Sequence, residues 1–416
     1  MPLTKPIRKA ITLASTNGAP LPSNADRVSS IDSLRALTML LMIFVNDLWS
    51  LQNIPLWLEH VPADADGIGL ADTVFPAFLF IVGMSIPLAI AARRKKGDSQ
   101  LQLLQHILVR TMALLVMGLF LVNGENINTA ATGISRALWN TLSCTSFILI
   151  WNVYPKNMQQ TLKRILRGIG IANLLTLAFL YKGGEDGNLT GFSTWWWGIL
   201  GLIGWCYFTA SMITAFAGKQ KFLIVGPWLV FVTLSLFSTA GLLPQGGLAR
   251  VIPSPVIGGT LVALTLGGVL TTMLFQHFQK SGAQRKVMVV LFLISLALIG
   301  LGLVTNRFWD ISKIRATAPW LFLCSGLTVL GFMLVHWLIS SKRKARWFAL
   351  IKPAGTHTLL CYLIPYFAYA LFSVTGFSLP DMLTTGLTGL VKSFAFALLC
   401  IWVTGLLVRK GIALKV

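Results

Sequence analysis

His60 and Asp72 are the residues whose types and spacing best suit acid–base chemistry in this chain. A carboxylate can hold an imidazole in one tautomer and steady its protonated form, which makes the pair the working part of a general base. The same spacing also fits a loop histidine beside a helix-capping aspartate, and the sequence leaves both readings open. Asn46 and Asp47 end the preceding apolar run, "MLLMIFVNDLWS", so an amide and a second carboxylate reach the same neighbourhood. Asp64 and Asp66, in "PADADG", read as solvated loop charges, leaving Asp72 as the one acid here that must be buried. Pro76 lies one turn beyond Asp72, and a proline inside a helix needs something nearby to satisfy the carbonyl it frees.

A second polar set is of a different kind. Asp32 and Arg35, in "SSIDSLRAL", can pair at i, i+3. Arg110 opens the regular part of a later apolar run, and Lys352 precedes "PAGTHTLLCYLIPY". In that motif Pro353 and Gly355 are expected to form a turn and Thr356 to cap a helix that has His357 on its first turn. Free backbone amides and a positive dipole end would then face the cytoplasm. Arg35, Arg110, Lys352 and His357 are thus candidate ligands for an anionic, phosphate-bearing molecule, with ordinary charged flanks and an ordinary cap as the alternative. His106, His277 and His336 read as surface or interfacial residues. The five cysteines sit in apolar runs without paired or metal-ligand spacing and read as small core residues, and no metal is expected.

The elements that must position these groups follow from composition. Of 416 residues 55% are hydrophobic and only 11% charged, far below the charge of a soluble domain. Apolar runs long enough to cross a bilayer recur along the chain, and they do not alternate as barrel strands would. Candidate spans lie near 33–51, 69–92, 103–123, 137–154, 165–181, 194–216, 222–243, 255–276, 287–305, 318–340, 357–378 and 384–408. The expected fold is an all-α polytopic membrane protein, a bundle of about 12 transmembrane helices.

The net charge of +21 comes from short connectors and does not mark a nucleic-acid partner. Most lysines and arginines fall in the termini and in connectors after even-numbered spans. The opposite side holds Arg136, Lys182, Arg250, Arg307, Lys313 and Arg315, while Lys392 belongs to neither group. The positive-inside rule then puts both termini in the cytoplasm and His60 outside. Residues 1–30 are expected to form a cytoplasmic tail without a signal peptide, 31–408 a single membrane domain and 409–416 a second cytoplasmic tail. Trp49, Trp57, Trp195, Trp196, Trp197 and Trp309 fall at outer ends of spans, where indoles anchor in the interface. A twelve-helix transporter or flippase shares this plan, but the link after the sixth span, "GKQK", is short for a two-half carrier.

Several stretches resemble the heparan-alpha-glucosaminide N-acetyltransferase family of transmembrane acetyltransferases. They are "SSIDSLRALTMLLMIFVND", "EHVPADADGIGLADTVFPAFLFIVGMSI", "RTMALLVMGLFLVN" and, more faintly, "FWDISKIRATAPWLFLCSGL" and "PAGTHTLLCYLIPY". The resemblance implies a many-helix enzyme, here of a bacterial inner membrane, surrounded by lipid. Such an enzyme takes acetyl-CoA from the cytoplasm and acetylates an amino sugar or glycan on the other side. Carried over by motif, the catalytic histidine falls on His60, the supporting asparagine on Asn46 and the aspartate opening the second motif on Asp72. A homodimer is compatible with this reading, and polymeric heparan is not required by it.

Overall fold

In hydrocarbon only a helix or a closed barrel satisfies every backbone N–H and C=O, so uninterrupted apolar runs fold as helices. The computed structural model describes residues 24–185, 187–218, 220, 222–243, 246, 252–340 and 347–415. Among them the chain forms α1 (Asn24–Asp47), α2 (Leu70–Lys95), α3 (Gln100–Glu125), α4 (Thr129–Thr132), α5 (Arg136–Trp151), α6 (Gln160–Leu180), α7 (Ile199–Ala217) and α8 (Phe222–Thr239). It continues with α9 (Ser254–Ile257), α10 (Thr260–Lys280), α11 (Gln284–Thr305), α12 (Ala318–Ser340), α13 (Trp347–Thr356), α14 (Thr358–Thr375) and α15 (Gly386–Arg409).

Each candidate span coincides with one long helix. Among the described residues α2, α3, α7, α10, α11, α12, α14 and α15 are long and apolar enough to cross a membrane. The remaining four have readable departures. Charges at Asp32 and Arg35 break the apolar run of α1, and α5 has 16 residues, about 24 Å of helix. Lys163, Arg164 and Arg167 open α6, while α8 is a short apolar helix carrying Pro227. The chain is an all-α polytopic integral membrane protein. Of the expected N-terminal tail, residues 1–23 lie outside the described residues, as does Arg250; α1 already begins at Asn24.

The helix starts follow local chemistry. Ser99 and Gln102 form a reciprocal cap on α3, with Gln102 N donating to Ser99 Oγ (3.3 Å) and Ser99 N to Gln102 Oε1 (2.8 Å). Arg93, Arg94 and Lys95 fill the last turn of α2, where they complement its dipole. Packing does the rest. The α2 helix lies along α10, α3 along α7 and α11 along α12, while α1 touches α2, α12, α13, α14 and α15. Polar side chains join helices where lipid offers no partner, as where Thr272 Oγ1 donates to the Met84 carbonyl at 2.9 Å. Large apolar residues of α11 and α15, such as Phe292, Leu293, Val391 and Trp402, stay exposed and face outward.

Two local expectations need correction. Residues 353–356 do not form a turn: Pro353 and Gly355 lie inside α13, and Thr356 Oγ1 donates to the Lys352 carbonyl (3.1 Å) instead of capping α14. Tertiary contact overrides the turn signal, because Gly355 lets α13 touch α1 where a Cβ would stand 2.2 Å from the Asp32 carbonyl oxygen. His336 is buried at 6% exposure, not interfacial, with its Nδ1 3.0 Å from Ser30 Oγ and Phe275 and Phe332 against its ring. The five cysteines are free and buried, as small core residues are.

Candidate functional site

The α2 start is built around one carboxylate. Asp72, 1% exposed, accepts from Val61 N (3.0 Å) and Gly69 N (3.1 Å) through Oδ2 and from His60 Nδ1 (2.7 Å) through Oδ1. A carboxylate already taking two backbone N–H groups acts as an acceptor, so the third bond puts the imidazole proton on Nδ1. The Nε2 lone pair is left free to take a proton. One carboxylate thus takes the backbone N–H groups at the start of α2 and the imidazole of His60. Trp320 Nε1 donates to the Asp72 backbone carbonyl at 3.0 Å, which supplies the partner that Pro76 demands.

Gly69 makes the close approach feasible, since a Cβ there would lie 1.9 Å from the Glu59 carbonyl oxygen. Gly69→Ala is expected to push residues 59–61 off the start of α2 and part His60 from Asp72. A displacement of about 1 Å at a reacting group can cost roughly 10²-fold in rate. Turnover measured beside thermal unfolding in detergent would show activity falling more steeply than stability.

Asp66 is exposed, yet it is more than a solvated loop charge. Its Oδ1 accepts from Ile311 N at 2.7 Å, and Gly67 N donates to the Ile311 carbonyl at 3.2 Å. These bonds tie the loop after α11 to the loop before α2 and bring Lys313 to His60. Lys313 Nζ stands 3.1 Å from Nδ1 and 3.4 Å from Nε2. An in-plane approach to both nitrogens would drive Nζ into Cε1, so it rests against the ring face. In the sequence Lys313 is only one of the outer-side charges. The 245 residues between Asp66 and Ile311 explain why no local pattern could place it.

Burial holds the Lys313 ammonium below the ordinary lysine value of 10.5, partly offset by the Asp72 carboxylate. Between that lowered value and 10.5 the unfolded chain binds more protons here than the folded one, so stability rises with pH through this window. Lys313→Met removes a penalty that is fully present below the lowered value. The variant is expected to unfold at a higher temperature at neutral pH, with the gain shrinking as pH climbs towards 10.5. Thermal scans of both proteins across that range check it; a gain that grows with pH would contradict it.

Asp47 is a second buried acid, at 3% exposure, contrary to the expectation of one. It accepts from Tyr369 OH (2.9 Å), Lys392 Nζ (2.8 Å) and Ser393 Oγ (2.6 Å), which joins α1 to α14 and α15 and gives Lys392 its partner. The next residue back, Asn46, is thereby held at the end of α1. Asn46 and His60 line one chamber of about 510 Å³ together with Lys313, Arg315, Trp197 and Trp320.

At the other end of α1 a cavity of about 540 Å³ contains Arg35, Arg110 and His357. Lys352 is exposed and does not itself line it. Arg35 donates to Asp32 (2.9 Å), Ser85 (2.5 Å) and the Gly355 carbonyl (3.0 Å). Arg110 lies over the Tyr207 ring at 4.9 Å, and its Nε is buried without a hydrogen-bond partner among the described residues. Thr356, His357 and Thr358 bring the start of α14 to this cavity, and the N-cap residue His357 makes no side-chain capping bond among the described residues.

The two cavities share walls. Met42 and Ile199 line both, and a smaller space of about 220 Å³ meets the first at Leu200 and Tyr362 and the second at Asn46. One stripe of α1 lines these cavities in turn, with Arg35, Met39, Met42 and Asn46 spaced four, three and four residues apart. That spacing keeps one helix face, and the eleven residues rise about 16 Å. The pattern was available in the sequence and is the signal that reading by motif passed over.

Fold and site together define a polytopic membrane protein whose bundle holds two adjoining cavities, one lined by basic residues and the other by an oriented imidazole. Residues 27–242 match the family described as "Domain of unknown function (DUF5009)", and the chain belongs to that family. It is also similar to two curated relatives named heparan-alpha-glucosaminide N-acetyltransferase. The Mus musculus protein is 35% identical over 105 residues, 24% of this chain and 15% of that protein. The Homo sapiens protein is 35% identical over 101 residues, 23% of this chain and 14% of that protein. The aligned part spans about a seventh of the curated relatives.

Proposed function

We propose that this protein is a transmembrane N-acetyltransferase that moves an acetyl group from cytoplasmic acetyl-CoA to an amine of an amino sugar or glycan on the far side. What carries the reading is the His60–Asp72 pair, opening on a chamber that shares walls with the basic cavity. The names of the two relatives supply the reaction class. The asymmetric distribution of lysine and arginine supplies the direction, with the Arg35 end cytoplasmic and the His60 end outside.

Arg35, Arg110 and His357, with the start of α14, would take the donor's phosphates at the basic end. The slender thioester arm would run along the α1 stripe to Asn46. There the acceptor nitrogen attacks the thioester carbonyl carbon while His60 Nε2 takes the proton that nitrogen loses. Asp72 steadies the imidazolium through Nδ1–H, and the Asn46 amide donates to the developing oxyanion. When the C–S bond breaks, the imidazolium returns its proton to the leaving sulfur, so the products are the acetamide and free CoA thiol. Purified protein given acetyl-CoA and glucosamine in detergent should release CoA thiol and form N-acetylglucosamine. Indifference to acetyl-CoA, as expected of a carrier, would overturn the reading.

A further inference from the structure

The basic cavity has a wall that the residues named so far do not account for. After α15 the chain turns back, with Ile412 N donating to the Leu407 carbonyl (2.9 Å), and runs beside the end of α5. Val153 N donates to the Ala413 carbonyl (2.9 Å), Lys415 N to the Trp151 carbonyl (3.2 Å) and Ala413 N to Asn152 Oδ1 (2.8 Å). Leu414 is buried at 8% exposure, and the pinned segment places Leu414 and Lys415 on the cavity lining.

The charge balance there is uneven. The Arg35 charge is already balanced by the Asp32 carboxylate, and its guanidinium also donates to Ser85 and the Gly355 carbonyl. Arg110 and Lys415 have no carboxylate at ion-pair distance among the described residues, where the pairs formed are Arg35–Asp32, His60–Asp72, Arg93–Asp98, Arg315–Asp310 and Lys392–Asp47. Two cations without a carboxylate partner among the described residues, together with the start of α14, thus face one cavity, which suits a ligand with several phosphates at different depths. Arg110 is half-buried, with its Nε enclosed, and Lys415 is exposed, so Lys415 stands at the rim. When the thioester points towards Asn46, the rim is where the far end of CoA must lie, and that end bears the ribose 3′-phosphate.

We propose that Lys415 is a further donor-binding residue that recognises the ribose 3′-phosphate of CoA. The assignment rests on the acyl-CoA reading above and adds to it the group that distinguishes CoA from a shorter phosphopantetheine donor. An ammonium serves as a point-charge partner for phosphate, and at an exposed rim its contribution is moderate.

The test is a binding cycle on the full chain in detergent, using CoA and dephospho-CoA with wild type and Lys415→Ala. Lys415→Ala should weaken CoA binding roughly 5- to 10-fold and leave dephospho-CoA binding unchanged, the coupling expected of groups in contact. Lys415→Glu should weaken CoA binding further, while Lys286→Ala, an exposed lysine away from every cavity described, should have no effect. Unchanged unfolding temperatures keep the comparison to folded protein. If wild type binds CoA and Lys415→Ala binds it equally well, or loses both ligands equally, the assignment is wrong and the acyl-CoA reading stands. If wild type binds neither ligand, both are wrong.

Discussion

His60→Ala is expected to lower acetyl transfer by about 10²- to 10⁴-fold, the range a positioned general base contributes. CoA binding should be unaltered, because Arg35 lies about 16 Å from Asn46 along α1 and the basic cavity includes no residue of the His60 loop. Stability should change little as well. The His60 side chain is 45% exposed and donates one bond to Asp72, while the backbone bonds from Val61 and Gly69 keep the loop docked without it. Rate measurements with CoA titrations on the same preparation read all three quantities. Transfer near the wild-type rate would remove His60 from the mechanism.

Asp72→Asn is expected to be nearly as damaging for a different reason. The amide oxygen can keep accepting from Val61 N and Gly69 N, which turns the new Nδ2–H groups towards His60 Nδ1. Nδ1 must then act as acceptor and the ring proton moves to Nε2, the atom that should receive a proton from the acceptor. An enforced wrong tautomer costs on the order of 10³- to 10⁴-fold in turnover. Asp72→Ala should instead unfold readily, since it leaves two backbone N–H groups unsatisfied at about 1–3 kcal/mol each. A folded but inactive Asp72→Asn beside a destabilised Asp72→Ala separates orientation of the imidazole from simple capping. Equal activity of Asp72→Asn and wild type would leave Asp72 as a cap alone.

Much of this architecture is legible in the residues. Apolar runs fix the long helices because membrane helices satisfy their own backbone, and the signal does not depend on distant contacts. Pro76 announces a freed carbonyl, although only packing of α12 on α2 reveals that Trp320 answers it. His60 and Asp72 lie in one short segment, so their encounter is a local matter of loop length and of Gly69. Contacts that span the chain escape such reading. Lys313 reaches His60 only because Asp66 holds Ile311, Lys392 is explained only by Asp47, and Lys415 enters the cavity only through pairing with the end of α5. The "PAGT" segment shows the opposite failure: a strong turn signal gives way because Gly355 lets α13 seat against α1.

The central claim is that one imidazole and one thioester meet through a passage spanning the bundle. Sealed vesicles of a single known orientation, loaded on the Arg35 side with acetyl-labelled acetyl-CoA and given glucosamine on the His60 side, test it most directly. Labelled N-acetylglucosamine should accumulate on the His60 side while the donor stays where it was loaded. Product forming only when donor and acceptor share a side, or none forming at all, would contradict it.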